Sequence, residues 1–382
     1  MQKSSVYRLL APGPVPIPKK VLESLSEPAL HHRIPAFEQK LQYCFSKLKE
    51  VFETKHKVLI HTSTGSGAME SAIVNCLKPG DKGIFIVGGK FGERWAQMAK
   101  TFGAQVVPFQ LEWGESLDLN AFENFIKDHK DAKVVATQAC ETSTATLFPV
   151  EEISRLTKQH TQALVLVDAI TAMGCMDLPM DAWNLDVVVA GSQKAFMLPT
   201  GLSFVGISED AEKIVRANPQ PRYYFDWVKE LESYPKTTRF SSPNSLIVAL
   251  SEVLRLFEEV GMDAVKTRCR ILAETTRLGA EELGLKVFSK NPSSSVTAIE
   301  LPEGVDGQKL RSWLETEKNI TVMGGQDQLK GKVLRIGHMG AIYNDDLLAF
   351  FDALMEGLNL PEPMEFKHHL SKSLFPSLEY FA

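Results

Sequence analysis

Long apolar runs and paired cysteines are both missing from this sequence. A membrane-spanning helix needs about 20 consecutive apolar residues, so no such helix is predicted. The first ten residues lead into Pro12-Gly13-Pro14 and lack the apolar core and cleavage site of a signal peptide. The five cysteines are scattered and form no CxxC pair, so neither a zinc site nor a disulfide framework is indicated. We therefore expect a cytoplasmic protein, since free thiols persist in a reducing compartment.

Basic blocks and internal repeats are also missing. The formal net charge is −5 and the Lys and Arg residues are dispersed, so nucleic acid is not expected as a partner. No metal-binding spacing is found, and no metal is expected. The composition is that of an ordinary globular protein, with 44% apolar and 23% charged residues. A length of 382 residues exceeds a single compact core and predicts two domains.

The order of apolar and helical patterns predicts an α/β fold. From Lys57 to Ile207 short apolar runs alternate with helical patterns, which is typical of a mostly parallel sheet covered on both faces. After Pro243 two long amphipathic helices are followed by shorter elements, with strands expected at Leu285–Ser289 and Ile320–Met323 among them. This predicts a small C-terminal α+β domain. The expected divisions are an N-terminal arm (1–20), a large domain (21–250), a small domain (251–360) and a tail (361–382), whose Phe375, Tyr380 and Phe381 either dock or fray.

Two ionisable residues follow or end apolar strands. Lys194 comes directly after the strand that ends near Ala190, and Asp168 ends the run Ala163–Asp168. Ligands of open α/β sheets lie outside the carboxyl ends of the strands. A lysine there could form an imine with an aldehyde cofactor, and a carboxylate could hold a pyridine nitrogen protonated. Taken singly, a solvated lysine and a loop-ordering aspartate remain alternatives.

A turn of small residues lies between a strand and a helix. Residues 64–70 read Thr-Gly-Ser-Gly-Ala-Met-Glu, which lets the backbone approach a phosphate at a helix N-terminus. A plain tight turn is the alternative, and the dinucleotide fingerprint is incomplete because its third glycine is replaced by Glu70. Phe91 and Ser143 follow two further strands. Phe91 could stack on a planar cofactor or pack in the core, and Ser143 could bind a cofactor oxygen or cap a turn.

Arg335 interrupts an apolar strand of the small domain, in Val333-Leu334-Arg335-Ile336. Arginine is almost never buried without an anionic partner, and its planar fork matches a carboxylate. That partner is either a substrate carboxylate or an internal Asp or Glu. Each of these signals is weak alone. Together they fall at the ends of successive strands of one sheet, with an arginine from a second domain, and this indicates one active site.

The same motifs resemble the class V aminotransferases, and within them the alanine–glyoxylate and serine–pyruvate group. The most specific pieces are Gly191-Ser192-Gln193-Lys194, Gly67-Ala68-Met69-Glu70, and Asp168 followed by Ala-Ile-Thr-Ala-Met-Gly. The likeness runs from Leu10 to the Arg335 segment. It implies the pyridoxal-phosphate (PLP) transferase fold of type I and a homodimer with shared active sites. The implied activity is transfer of an amino group from a small amino acid (alanine or serine) to a 2-oxo acid such as glyoxylate or pyruvate.

The resemblance also implies a role for each site residue. Lys194 would carry PLP as a Schiff base and move the Cα proton, and Asp168 would pair with the pyridine nitrogen. The remaining implied contacts are Phe91 and Ile170 on the two ring faces; Ser143 on the phenolic oxygen; Thr64, Gly65, Ser66 and Gln193 on the phosphate; Gly13 and Arg335 on the substrate carboxylate; and Ser241 or Ser242 reaching the phosphate of the partner subunit.

Three other functions are compatible with parts of the pattern. A PLP-dependent lyase of the cysteine desulfurase type would have His before the lysine and a catalytic Cys in a late loop; here Gln193 precedes Lys194 and no Cys lies between Lys290 and Arg335. A non-catalytic accessory subunit with the same fold need not keep Lys194, Asp168 and Arg335 together. A nicotinamide dehydrogenase is disfavoured by the incomplete glycine fingerprint.

Overall fold

The computed structural model describes residues 6–374. Within them the strands, in chain order, are β1 (Arg8–Leu9), β2 (Lys57–His61), β3 (Lys82–Val87), β4 (Gln105–Gln110), β5 (Val134–Gln138), β6 (Cys140–Glu141), β7 (Thr146–Leu147), β8 (Leu164–Asp168), β9 (Val187–Gly191), β10 (Ser203–Ile207), β11 (Val296–Glu300), β12 (Ile320–Thr321), β13 (Met323–Gly324) and β14 (Val333–Gly337). The helices are α1 (Lys19–Leu25), α2 (Pro35–Val51), α3 (Gly65–Cys76), α4 (Lys90–Thr101), α5 (Leu119–Lys127), α6 (Val150–His160), α7 (Glu209–Ala217), α8 (Trp227–Ser233), α9 (Asn244–Val260), α10 (Met262–Glu282), α11 (Gly307–Lys318), α12 (Asn344–Leu358) and α13 (Phe366–Leu374).

The central sheet has the strand order β2-β10-β9-β8-β5-β3-β4. Only β10 runs against its neighbours, pairing antiparallel with both β2 and β9. The other pairs, β9-β8, β8-β5, β5-β3 and β3-β4, are parallel. Strands β2, β3, β5, β8 and β9 therefore end at the same edge of the sheet, and the turns that follow them meet there.

The sheet is buried on both faces because its central strands are mostly apolar. In β8, Val165 and Val167 pack on the face covered by α2 and α9, whereas Leu164 and Leu166 pack on the face covered by α3. Side chains alternate between the faces of a strand, so a strand covered twice has no polar face. Asp168, at the end of this run, is therefore an exception in the strand.

The small domain is built on the antiparallel sheet β11-β14-β13. Its core is shared by α10, α11, α12 and α13, with Phe366, Leu370 and Leu374 of α13 fully buried. The tail thus contributes packed residues up to Leu374, while Phe375, Tyr380 and Phe381 lie outside the described residues. The predicted division at 250 and 251 stays a prediction; α9 runs without a break through that position.

Two details of the small domain differ from the sequence prediction. The strand expected at Leu285–Ser289 forms only one bridge, Val287 to Ile299, because the chain then turns toward the large domain, where the Lys290 N–H donates to the Gly114 carbonyl (2.8 Å). The strand expected at Ile320–Met323 is divided. Its first part, β12, pairs in parallel with β1 of the N-terminal arm, and its second part, β13, pairs with β14.

Candidate active site

Lys194 lies three residues beyond the end of β9, at the edge where the parallel strands end. Its Nζ donates a hydrogen bond to the Pro12 carbonyl oxygen (2.5 Å). Burial, with the nearby positive charge of Arg335, lowers the pKa of Lys194 to about 8, against the opposing effect of Asp168. An amine with that pKa is partly neutral near pH 7, which is the form that attacks a carbonyl carbon.

The N-terminal arm covers this amine. The Leu10 N–H donates to the Thr321 carbonyl (2.9 Å), and the Gly337 N–H donates to the Leu10 carbonyl (2.7 Å), so the arm is fixed to the small domain. Gly13 follows with φ +132°, and a Cβ built on it would overlap Lys194 Nζ. Glycine is therefore required at this position by both the backbone angle and the space.

Asp168 ends β8, the strand next to β9, and is 4% exposed. Its Oδ1 accepts a hydrogen bond from the Ile170 N–H (2.8 Å). Burial raises the pKa of Asp168 to about 7, although the Ile170 hydrogen bond and the charges of Arg94 and Lys194 oppose the shift. Within residues 6–374 no Lys, Arg or His forms an ion pair with it. A buried carboxylate without a cationic partner is suited to a positively charged ligand atom.

The turn after β2 leads directly into α3. Thr64 caps the helix, its Oγ1 accepting from the Gly67 N–H (3.4 Å). A Cβ on Gly65 would lie 2.5 Å from Ile170 Cδ1, so this turn packs closely against the residue that follows the Asp168 strand. The first N–H groups of a helix have no partner within the helix and bind anions well.

Gln193 adds a second sign of a ligand. Its Oε1 is buried and has no hydrogen-bond partner among the described residues. Buried polar atoms are nearly always hydrogen-bonded, so an unsatisfied atom beside Lys194 is compatible with a polar group that binds there.

Phe91 and Ser143 are linked through a carboxylate that the sequence analysis missed. Glu141 is fully buried, and its carboxylate accepts from the Phe91 N–H (3.0 Å), the Gly92 N–H (3.0 Å) and the Ser143 hydroxyl (2.5 Å). The Ser143 Oγ accepts in turn from the Lys90 N–H (3.0 Å). Glu141 thus fixes the start of α4, which carries Phe91, against the hairpin that carries Ser143.

Arg335 lies in β14 and is 7% exposed. Its Nε donates to the Gly324 carbonyl (2.9 Å), and Nη1 donates to the Thr142 carbonyl (3.0 Å), which joins the small domain to the large one. In the described part of the chain no Asp or Glu forms an ion pair with it, and burial lowers its pKa to about 10. The internal partner that the sequence left open is therefore not a carboxylate at ion-pair distance within residues 6–374, although the charge of the buried Glu141 acts on Arg335 and opposes the shift.

Ser241 and Ser242 do not join this group. They line a separate small pocket of about 40 Å³ with His61, Thr62 and Tyr224. The Ser242 hydroxyl is hydrogen-bonded to the Thr238 hydroxyl (2.6 Å). Their contact with a partner subunit stays a prediction.

Comparisons with known proteins place this geometry in a family. The aminotransferase class V family model matches residues 9–340. The chain belongs to the class V aminotransferase family. The family and the enzyme class predicted from the sequence are confirmed, and relatives of this family are PLP-dependent.

Three relatives show how far the likeness extends. An L-aspartate–glyoxylate aminotransferase from Paracoccus denitrificans is 33% identical, over 92% of each chain. A protein named soluble hydrogenase, small subunit, from Synechococcus sp. is 36% identical, over 91% of each chain. The crystal structure of an alanine–glyoxylate aminotransferase from Nostoc sp. matches 94% of this chain and 98% of its own with a TM-score of 0.88 at 29% identity. The predicted α/β fold of type I is thereby confirmed.

Between residues 6 and 374 no group of three or more His, Cys, Asp or Glu side chains could hold a metal ion. No helix in that part of the chain is long and apolar enough to cross a membrane.

The raised pKa of Asp168 gives a stability prediction for the cofactor-free protein. Because its pKa rises from 3.8 in the unfolded chain to about 7 in the fold, stability is lost as the pH rises through this window. Asp168→Asn removes this loss. We expect the variant to gain stability over the wild type between pH 4 and pH 7, at roughly 1.4 kcal/mol per unit of pKa shift at most. Urea unfolding at several pH values measures the difference.

Asp186→Asn is the matched control for that measurement. Asp186 is also a buried aspartate at the sheet, but it is paired with Lys158 and accepts from the Val165 N–H (2.7 Å). Its substitution should destabilise the protein at neutral pH. If Asp168→Asn destabilises the cofactor-free protein at pH 8 as the control does, Asp168 is a structural acceptor and not a ligand-binding charge.

Proposed function

We propose that this aminotransferase binds PLP at Lys194 and moves an amino group from a small amino acid (alanine or serine) to a 2-oxo acid such as glyoxylate or pyruvate. The observation that carries the proposal is the placement of two ionisable groups at one edge of the sheet, the half-buried Lys194 after β9 and the buried Asp168 at the end of the neighbouring β8. Lys194 presents an amine whose pKa is lowered to about 8, and Asp168 presents a carboxylate without a cation. This pair fits the aldehyde and the pyridine nitrogen of PLP.

Each of these two residues has a defined task in the proposal. Bound PLP supplies an electron sink for the bond-breaking at the substrate Cα. Lys194 would hold the cofactor aldehyde through its amine and, once released, would take the proton from the substrate Cα and deliver it to the carbon of the former aldehyde. The Pro12 carbonyl, which accepts from Lys194 Nζ in this structure, orients the free amine between these tasks. Asp168 keeps the pyridine nitrogen protonated, because the two opposite charges stabilise each other in a buried place.

The other residues of the candidate site are the proposed contacts for the other parts of the cofactor. Thr64, Gly65 and Ser66 at the start of α3 form the proposed phosphate end, with Gln193 nearby, whose side-chain NH2 group would donate to a phosphate oxygen. Phe91 and Ile170 form the proposed ring faces. The Ser143 hydroxyl donates to Glu141 in this structure, so its proposed contact with the phenolic oxygen requires that hydroxyl to turn.

Arg335 and Gly13 form the proposed site for the substrate carboxylate. Two of the Arg335 nitrogens are used by carbonyls, which hold the guanidinium in place without neutralising it. Gly13 lies against Lys194 and belongs to an arm that is fixed to the same small domain. A substrate carboxylate held by both would place Cα near the Lys194 amine.

The choice of glyoxylate or pyruvate as acceptor rests on the site and on the relatives. Arg335 contacts only a group that all 2-oxo acids and amino acids share. The names of the Paracoccus and Nostoc relatives both contain glyoxylate as one substrate. We propose a homodimer in which Ser241 or Ser242 reaches the partner's phosphate end, and a cytoplasmic location, which fits five free and buried cysteines.

A second function, a non-catalytic accessory subunit, is favoured by one observation. The relative from Synechococcus carries the name of a hydrogenase subunit. The set of Lys194, Asp168 and Arg335 favours the catalytic alternative, since a protein without catalysis has no need to keep three desolvated ionisable groups that form no ion pair within residues 6–374. A direct assay of amine transfer distinguishes the two functions.

That assay is the test of the proposal. The purified protein with added PLP should convert alanine or serine, with glyoxylate as acceptor, to the 2-oxo acid and glycine. Lys194→Ala should abolish the transfer, and Lys20→Ala, an exposed lysine of α1, should leave it unchanged. Product is measured by chromatography for a series of amino donors. Transfer at the wild-type rate by Lys194→Ala, or no transfer with any donor, would contradict the proposal.

Arg335→Lys separates substrate binding from cofactor binding. The lysine keeps the charge but loses the planar pair of donors, and each bond to a charged group contributes about 1.5–3 kcal/mol. We expect kcat/KM for amino acids to fall by about one to two orders of magnitude, with the PLP absorbance unchanged.

Arg277→Lys is the control for that variant, because Arg277 also donates to a carbonyl in the small domain, that of Ser293 (3.1 Å). Its kcat/KM should stay near the wild-type value. If Arg335→Lys lowers the melting temperature but leaves kcat/KM unchanged, Arg335 stabilises the fold and does not bind the substrate.

A further inference from the structure

Arg94 lies between two predicted cofactor contacts that the sequence analysis treated separately. It is in the second turn of α4, one helical turn after Phe91. Its Nη1 donates to the Ser66 hydroxyl at the start of α3 (2.9 Å). Its guanidinium carbon lies 4.7 Å from the centre of the Phe91 ring. One side chain therefore contacts both the turn proposed for the phosphate and the ring proposed to stack on the cofactor.

The charge of Arg94 is not neutralised by the chain. Between residues 6 and 374 no Asp or Glu forms an ion pair with it, and its neighbour Glu93 is paired with Lys90 (3.2 Å). The side chain is half-buried, so water screens its charge only in part. The charge reaches the active site: burial raises the pKa of Asp168, and Arg94 opposes that rise.

We propose that Arg94 is a further cofactor-binding residue. It neutralises the phosphate group at the start of α3 and holds the Phe91 ring in a fixed position relative to that phosphate. The inference rests on the proposed PLP function. A phosphate monoester carries a charge of about −1.5 to −2 at pH 7. The helix N-terminus supplies only about half a positive charge, so a cation beside it would further stabilise a bound phosphate. Arg94 is the guanidinium already hydrogen-bonded to that turn.

The geometry of the guanidinium suits both contacts at once. Arginine can stack its flat face on an aromatic ring while the N–H groups at its edge donate to oxygen atoms. The bond to Ser66 uses one of five N–H donors and leaves others for phosphate oxygens. Lysine can replace only its charge, since an ammonium group has no face to stack and no planar fork.

The test compares two forms of the cofactor that differ only in the phosphate. PLP and pyridoxal are titrated separately into the purified, cofactor-free protein. Binding is followed by the quenching of tryptophan fluorescence. For Arg94→Gln we expect the Kd of PLP to rise roughly 10- to 100-fold. The Kd of pyridoxal should change much less, since pyridoxal has no phosphate to lose contact with.

Arg155→Gln is the matched control. It removes the same charge from the exposed face of α6, where Arg155 bonds only Gln159 (3.2 Å). Its Kd values should equal those of the wild type. Arg94→Lys should bind PLP better than Arg94→Gln but worse than the wild type, because it restores charge without the stacked fork.

Three outcomes would overturn the inference. Equal weakening of PLP and pyridoxal by Arg94→Gln would mean that Arg94 acts only through Phe91. Unchanged binding of both with a lower melting temperature would make it a purely structural residue. Equal Kd values of PLP for Arg94→Gln and Arg155→Gln would show that Arg94 does not bind the phosphate. Failure of the proposed function is distinguishable from these, since then the wild-type protein itself would not bind PLP.

Discussion

Burial of ionisable groups that the chain does not neutralise is the constraint on which this site depends. Lys194 and Asp168 lie at the ends of β9 and β8, where the sheet is covered on both faces and water is largely excluded. Burial shifts both pKa values toward the neutral forms, to about 8 and about 7. Such groups cost stability in the empty protein and become favourable when a ligand supplies the missing opposite charge or a covalent bond.

The rest of the fold brings three separate parts of the chain to this edge. The arm adds Gly13 and Pro12, because β1 is paired with β12 of the small domain. The small domain adds Arg335, whose bond to the Thr142 carbonyl ties it to the hairpin beside Glu141. Glu141 in turn fixes the start of α4. Movement of the small domain would therefore shift the arm and Arg335 together, relative to Lys194 and Asp168.

The residues that the sequence revealed are those that break a local rule. Asp168 and Arg335 are charges inside or at the end of apolar strands, and Lys194 follows one, so each is visible without knowledge of the fold. The parallel sheet was also predictable from a local pattern, since strands that are apolar on both sides need cover on both faces of the sheet. Glu141 and Arg94 have no such local signal. Their importance arises from contacts with α4 and α3, which only the packing of distant segments creates. The strand expected at Leu285–Ser289 is short for a similar reason: it bonds to β11 near Val287, and the chain then leaves the sheet edge at Lys290, which bonds to the large domain.

The most direct measurement of the central claim is to locate the bond between cofactor and protein. The protein is saturated with PLP, reduced with sodium borohydride and digested, and the peptides are analysed by mass spectrometry. The account predicts one stoichiometric modification, on Lys194, and its loss when the protein is first incubated with excess amino donor, which frees the lysine. Modification of exposed lysines in equal measure, with Lys194 unmodified, would contradict it.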